Sequence, residues 1–165
     1  MIVVGVDGSK SSRDALAWAL AESRSRDGQV RVVGAWRVDT MIYAAPYMPP
    51  IEGGISQSFE RAAEMAIAES LEAMGDAAEG VDVEQKIVEG AAAHILIQQA
   101  ENAELLVVGS RGHGGFAGLL LGSVSEQCAR HAPCPVVIVR HRDSQTHNDA
   151  VSQVMPEVGV EPTRP

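Results

Sequence analysis

The sequence predicts an α/β domain in which one open, doubly wound sheet of five parallel strands carries helices on both faces. Three observations lead there. Short apolar runs recur at Met1 to Val6, Leu105 to Val108 and Pro135 to Val139, the pattern of strands buried on both sides. Stretches with apolar residues at i, i+3, i+4 and i+7 alternate with such runs, as crossover helices do between parallel strands. Glycine-rich turns follow two of the strands, at the strand ends where open parallel sheets bind ligands.

The elements follow in order. Met1-Ile2-Val3-Val4-Gly5-Val6 is the first strand and ends at Asp7-Gly8-Ser9. Ser11-Ser12-Arg13-Asp14 has capping-box spacing at the start of a helix whose buried face is marked by Ala15, Leu16, Ala19 and Leu20. Gln29 to Trp36, with Val30, Val32 and Val33, is the second strand. Arg37 to Gln57 holds Tyr43, Pro46, Tyr47, Pro49, Pro50 and Gly53-Gly54 and reads as a long irregular loop, either a lid or a locally packed crossover insertion. Phe59, Ala62, Ala63, Ala66, Ile67, Ser70, Leu71 and Met74 then give the clearest amphipathic helix in the chain.

Val81 to Val88 alternates as a third strand, and Gly90 precedes an Ala-rich helix running to Ala100. Leu105 to Val108 is the fourth strand. Ser123-Val124-Ser125-Glu126 again has capping-box spacing before the last helix. Pro135 stands at the first position of the fifth strand, where a missing N–H is tolerated. These elements bound a single domain over 1–141. Residues 142–165 turn polar and are expected to form a disordered tail, because Pro156 interrupts the helical spacing of Val151, Val154, Met155 and Val158.

The chemistry concentrates after the fourth strand. Gly109-Ser110-Arg111-Gly112, then nine residues, then Gly122-Ser123 couples a flexible turn to a helix start. Glycine lets backbone approach a ligand closely, and a helix N-terminus offers unpaired N–H groups and partial positive charge, so the segment suits an anion such as phosphate. The same spacing also fits a crossover in which Ser123 merely caps a helix. A Walker A loop is excluded because no Gly-Lys pair occurs. Gly112-His113-Gly114-Gly115-Phe116-Ala117 matches a dinucleotide fingerprint only by accident, since no acidic residue follows at the ribose-binding distance. Asp7, at the end of the first strand, has two readings of its own: a carboxylate that accepts ribose hydroxyls, or a turn residue bonding its own backbone.

Taken together, these residues resemble the universal stress protein family over roughly Met1 to Arg140. Gly109, Gly112, Gly122 and Ser123 meet its G-x-x-G, nine residues, G-[ST] signature in full, and Gly5-Val6-Asp7-Gly8-Ser9 and His131-Ala132-Pro133-Cys134-Pro135-Val136 are similar to its flanking segments. The resemblance implies a Rossmann-like sheet of the nucleotide-binding alpha-hydrolase type in the order 3-2-1-4-5, with Asp7 and Gly109 side by side at the switch point. It implies an adenine nucleotide as ligand: ATP, with or without Mg, or AMP or cyclic AMP. Asp7 and the Gly109 backbone would then face the ribose, with Gly8 and Ser9 beside Asp7 also among the nucleotide-binding residues. Trp36 or its neighbour would contact adenine through the backbone, and Gly112, Gly122, Ser123, Val124 and Ser125 would hold phosphates, with Arg111 and His113 adding charge. The family pairs through its last strand, so a homodimer is expected, and the exposed edge of that strand points the same way.

Composition narrows the alternatives. The chain of 165 residues carries a formal net charge of -9, which argues against generic nucleic-acid or membrane-surface binding and makes a local positive site the more necessary for an anion. Its apolar runs are too short to span a bilayer and no signal peptide is visible, so a cytoplasmic protein is expected. Cys128 and Cys134 read as reduced small hydrophobes, and the five His show no ligand-like spacing, so no metal site is expected. Three functions remain: a nucleotide-binding regulatory module without catalytic residues, a slow ATPase or self-phosphorylating protein using Ser123 or Ser125, and a dimerisation module with no nucleotide.

Overall fold

The computed structural model describes residues 1–38, 54–113 and 120–141. Most of the expected Arg37 to Gln57 loop, the centre of the glycine-rich crossover and the whole C-terminal tail lie outside the described residues. The elements are β1 (Ile2–Gly5), α1 (Lys10–Arg24), β2 (Gln29–Trp36), α2 (Gly54–Glu72), a short 3-10 turn at Gly75–Ala77, β3 (Asp82–Glu89), α3 (Ala92–Gln99), β4 (Leu105–Gly109), α4 (Ser123–His131) and β5 (Val136–Val139). All four strand pairings are parallel, and the sheet order is β3-β2-β1-β4-β5. The expected class and strand order are both present.

The alternation of strand side chains builds two cores, one on each face of the sheet. Ile2, Val4, Val30, Val32 and Val107 pack with Leu16 and Leu20 of α1 and Ile67 of α2. Val3, Val33, Leu106 and Val108 pack on the other face with Ile95 and Leu96 of α3 and Cys128 of α4. A central strand with no polar face is the consequence, and it explains the unbroken apolar run at the start of the chain. Burial pushes the Cys128 thiol up to about 11 and Cys134 also upward, so both are protonated near neutral pH and serve as packing groups.

Helix α2 begins earlier than its periodicity suggested, at Gly54 rather than beyond Gln57. The reason is visible in the sequence: Ile55 and Ser58 extend the i, i+3, i+4 series of Phe59 and Ala62 by one turn. Both capping boxes are corrected. The cap of α1 is Ser9, whose hydroxyl accepts the Ser12 N–H at 3.2 Å, two residues before the expected position. The cap of α4 is Gly122, so Ser123 is the first helical residue and supplies no side-chain cap.

Candidate functional site

The order β3-β2-β1-β4-β5 makes β1 and β4 neighbours whose connections leave in opposite directions, so a crevice opens beyond their carboxyl ends. The two halves of the predicted motif meet there. At the end of β1, the Ser9 N–H donates to Asp7 Oδ1 at 3.0 Å, and the Asp7 N–H lies 3.4 Å from Ser12 Oγ. Asp7 is thus an Asx-turn residue, and its second oxygen, Oδ2, remains outside that turn. Partial burial works to raise the pKa of this carboxyl. The hydrogen bonds from Ser9 and Ser12 and the charge of His113 outweigh burial, so the pKa lies below its ordinary value and Asp7 is an anion at neutral pH.

Glycines bring the β4 turn against this carboxylate. A Cβ on Gly112 would collide with Asp7 Oδ2, so only glycine lets the loop pass so close. A Cβ on Gly109 would stand 2.7 Å from Ser11 Oγ and 2.8 Å from the Ser11 carbonyl carbon, so this glycine admits the first turn of α1. Gly122 differs. Its nearest would-be neighbours are Arg111 Cα at 3.4 Å and the Ser110 carbonyl at 3.5 Å, which leaves room for a side chain that would project over the helix start.

The first turn of α4 supplies the donors. The first intrahelical bond to the cap runs from the Glu126 N–H to the Gly122 carbonyl at 3.0 Å, which leaves the N–H groups of Ser123, Val124 and Ser125 outside the helical ladder. No side chain caps them, and the three residues that carry them, at the positive end of the helix, line the cavity. The hydroxyl of buried Ser125 does not join them. It donates within the protein, with the carbonyls of Ser110 and Gly122 at 3.0 and 2.9 Å.

Among the described residues the cavity measures about 640 Å³, within the range of small-molecule sites. Its lining divides by chemistry. Val33, Ala35, Ala92, Leu96 and Val108 contribute apolar surface, and Asp7, Gly109, Arg111, Gly112, His113, Gly122, Ser123, Val124 and Ser125 contribute charged, hydroxyl or backbone polar groups. Nine predicted residues, His113 among them, are therefore brought together, while Gly8, Ser9 and Trp36 are not in the lining. Gly8 turns at φ +83 against Ala66 of α2, Ser9 caps α1, and the Trp36 carbonyl accepts the Gly90 N–H at 2.7 Å.

Of Trp36 and its neighbour, it is the neighbour Ala35 that lines the cavity, and the period of a strand could have singled it out. The Val33 carbonyl accepts the Val6 N–H at 2.9 Å and so points towards β1, whereas the Trp36 carbonyl points towards β3. Alternate residues of a strand face alternate neighbours, so Ala35 presents its N–H and C=O on the β1 side, past the last residue that β1 pairs. An apolar slot with one adjacent donor and acceptor results. Val33, Ala92, Leu96 and Val108 gave no such signal, because lining and core residues look alike in sequence.

The universal stress protein family model matches residues 1–140. The chain belongs to the universal stress protein family. A universal stress protein of Mycobacterium tuberculosis (strain ATCC 25618 / H37Rv) is 38% identical over 140 residues, covering 84% of this chain and 44% of that protein. Another, from Mycolicibacterium smegmatis (strain ATCC 700084 / mc(2)155), is 34% identical over 141 residues, covering 86% of this chain and 46% of its own length. The chain thus spans less than half the length of these curated relatives. Among solved structures, a universal stress protein in complex with cAMP aligns with a TM-score of 0.61 at 29% identity, over 86% of this chain and 97% of its own. The universal stress protein UspA from Lactobacillus plantarum shares the fold, with a TM-score of 0.68 at 21% identity over 84% of this chain and 96% of that one.

Two further facts bear on the chemistry available. Among the described residues no group of three or more His, Cys, Asp or Glu side chains is placed to hold a metal ion, and Asp7 is the only carboxylate lining the cavity. Also among them, no helix is long and apolar enough to cross a membrane.

Proposed function

We propose that this universal stress protein binds an adenine nucleotide, ATP first and AMP or cyclic AMP as close alternatives, and acts in the cytoplasm as a homodimeric regulatory module that reports nucleotide occupancy. The observation that carries the reading is the contact of Gly112 with the Asp7 carboxylate, which joins two distant sequence motifs into one cavity. Each part of a nucleotide has a matching surface. The apolar slot suits a purine ring, and the Ala35 N–H and C=O suit adenine, whose N1 accepts while its amino group donates. Guanine presents the reverse pattern there. Asp7 Oδ2 suits ribose hydroxyls, and the free N–H groups of Ser123, Val124 and Ser125 suit phosphate. The cAMP complex of the relative at 29% identity supports the same ligand class.

Binding is favoured over chemistry because the described lining holds a single carboxylate and the Ser125 hydroxyl is engaged by carbonyls. The test is a calorimetric titration of adenosine and ATP into wild type and Asp7→Ala. Loss of a charge-assisted hydrogen bond should weaken both ligands by about 1.5 to 3 kcal/mol. A variant that melts earlier yet binds with unchanged affinity would show that Asp7 serves the turn alone.

A further inference from the structure

The cavity as proposed receives an anion while presenting a carboxylate, and the groups that offset this charge single out His113. Among the described lining residues the ionisable groups are Asp7, Arg111 and His113. With His113 neutral their charges cancel, and with it protonated the sum is +1, in a protein whose formal net charge is -9. The exposed ring also has a defined partner. His113 Nε2 lies 2.9 Å from the Asp7 carbonyl oxygen, an atom that can only accept, so Nε2 carries a hydrogen in this contact. Any proton that the imidazole gains or loses is therefore on Nδ1.

We propose that His113 is a proton-controlled specificity element of the phosphate end: it ties the glycine turn to Asp7 in both protonation states and adds a positive charge beside bound phosphate when protonated. The inference rests on the nucleotide reading above. The other groups around the ring do not change charge in the relevant range. Asp7 is held ionised, Arg111 is permanently cationic, and Arg13 of α1 is engaged through Nη2 with the Gly8 carbonyl at 3.0 Å. Helix α2 approaches the same turn through Ala66, and of the residues one turn away only exposed Glu69 is charged. Residues 114–119 contain no ionisable side chain. Because protonation supplies the charge, phosphate affinity should rise as pH falls, and adenosine, which has no phosphate, should not respond.

Cyclic AMP is the suitable probe, since its phosphodiester keeps one negative charge across the range. Titrations of the full chain at pH 8 and pH 5.5 should show cyclic AMP binding about three- to tenfold tighter at the lower pH, the size expected of one added charge at a partly solvated site. Adenosine affinity should stay level. His113→Gln, whose side-chain amide can donate from the position of Nε2 but never ionises, should bind cyclic AMP with no pH dependence and more tightly than His113→Ala. Parallel pH profiles for the two ligands, a rise that persists in His113→Gln, or equal affinities for the Gln and Ala variants would overturn the proposal. Absence of adenosine binding at every pH would instead remove the nucleotide reading on which it stands.

Discussion

Gly109 and Gly112 sit three residues apart in one turn, yet they are required by different neighbours, and substitution should separate the two requirements. Gly109→Ala forces a methyl into the backbone of α1 at Ser11, so stability should fall by about 1 to 3 kcal/mol in urea unfolding. Gly112→Ala meets the Asp7 carboxylate, a side chain that can move, so the fold should survive while nucleotide affinity drops. A Gly112→Ala protein with full affinity would mean that the carboxylate is free to shift and does not position the ligand. The sequence made both glycines conspicuous through their spacing. Ser11 and Asp7, the residues that make them necessary, lie far along the chain and could be placed beside them only through the family's strand order.

Strands were the most legible elements, because short apolar runs bounded by turn residues mark them, and β2 spans the residues expected of it. Helix starts were less so. Ser-x-x-Asp and Ser-x-x-Glu spacings pointed to Ser11 and Ser123 as caps, but a cap is the residue just before the first helical one, and with helices starting at Lys10 and Ser123 the caps are Ser9 and Gly122 instead. The consequence for α4 is functional, since a glycine cap leaves the terminal N–H groups for a ligand. Ser125 shows the difference between a side chain and its backbone. Ser125→Ala should cost about 0.5 to 1.5 kcal/mol of stability, read by thermal or urea unfolding, because its hydroxyl is bonded within the protein. A loss of nucleotide affinity with no loss of stability would show the hydroxyl to be a phosphate ligand instead.

At the scale of the whole molecule, β5 leaves one edge of the sheet open, and the register shows which residues face it. Leu106 N–H donates to the Pro135 carbonyl and Ser110 N–H to the Val139 carbonyl, so the alternate residues Val136 and Ile138 direct their backbone groups outward. Val136 to Val139 are only half-buried, as expected of an edge that a second copy could cover. Light scattering should therefore report a dimer for wild type and a folded monomer for Ile138→Pro, which removes an outward donor. Val137→Pro cuts the internal ladder with β4 and should chiefly destabilise the fold. A dimeric Ile138→Pro protein would place the interface elsewhere. The chain's net charge and strand pattern were readable from the sequence, whereas the cavity exists only once β1 and β4 are neighbours. Its proposed ligand is tested most directly by calorimetric titration of ATP into wild type and Gly122→Val, a substitution that adds bulk over the α4 N-terminus where the backbone has room for a Cβ. The account predicts one site per chain in wild type and affinity reduced by about tenfold or more in a variant that remains folded, whereas equal affinity in the two proteins would contradict it.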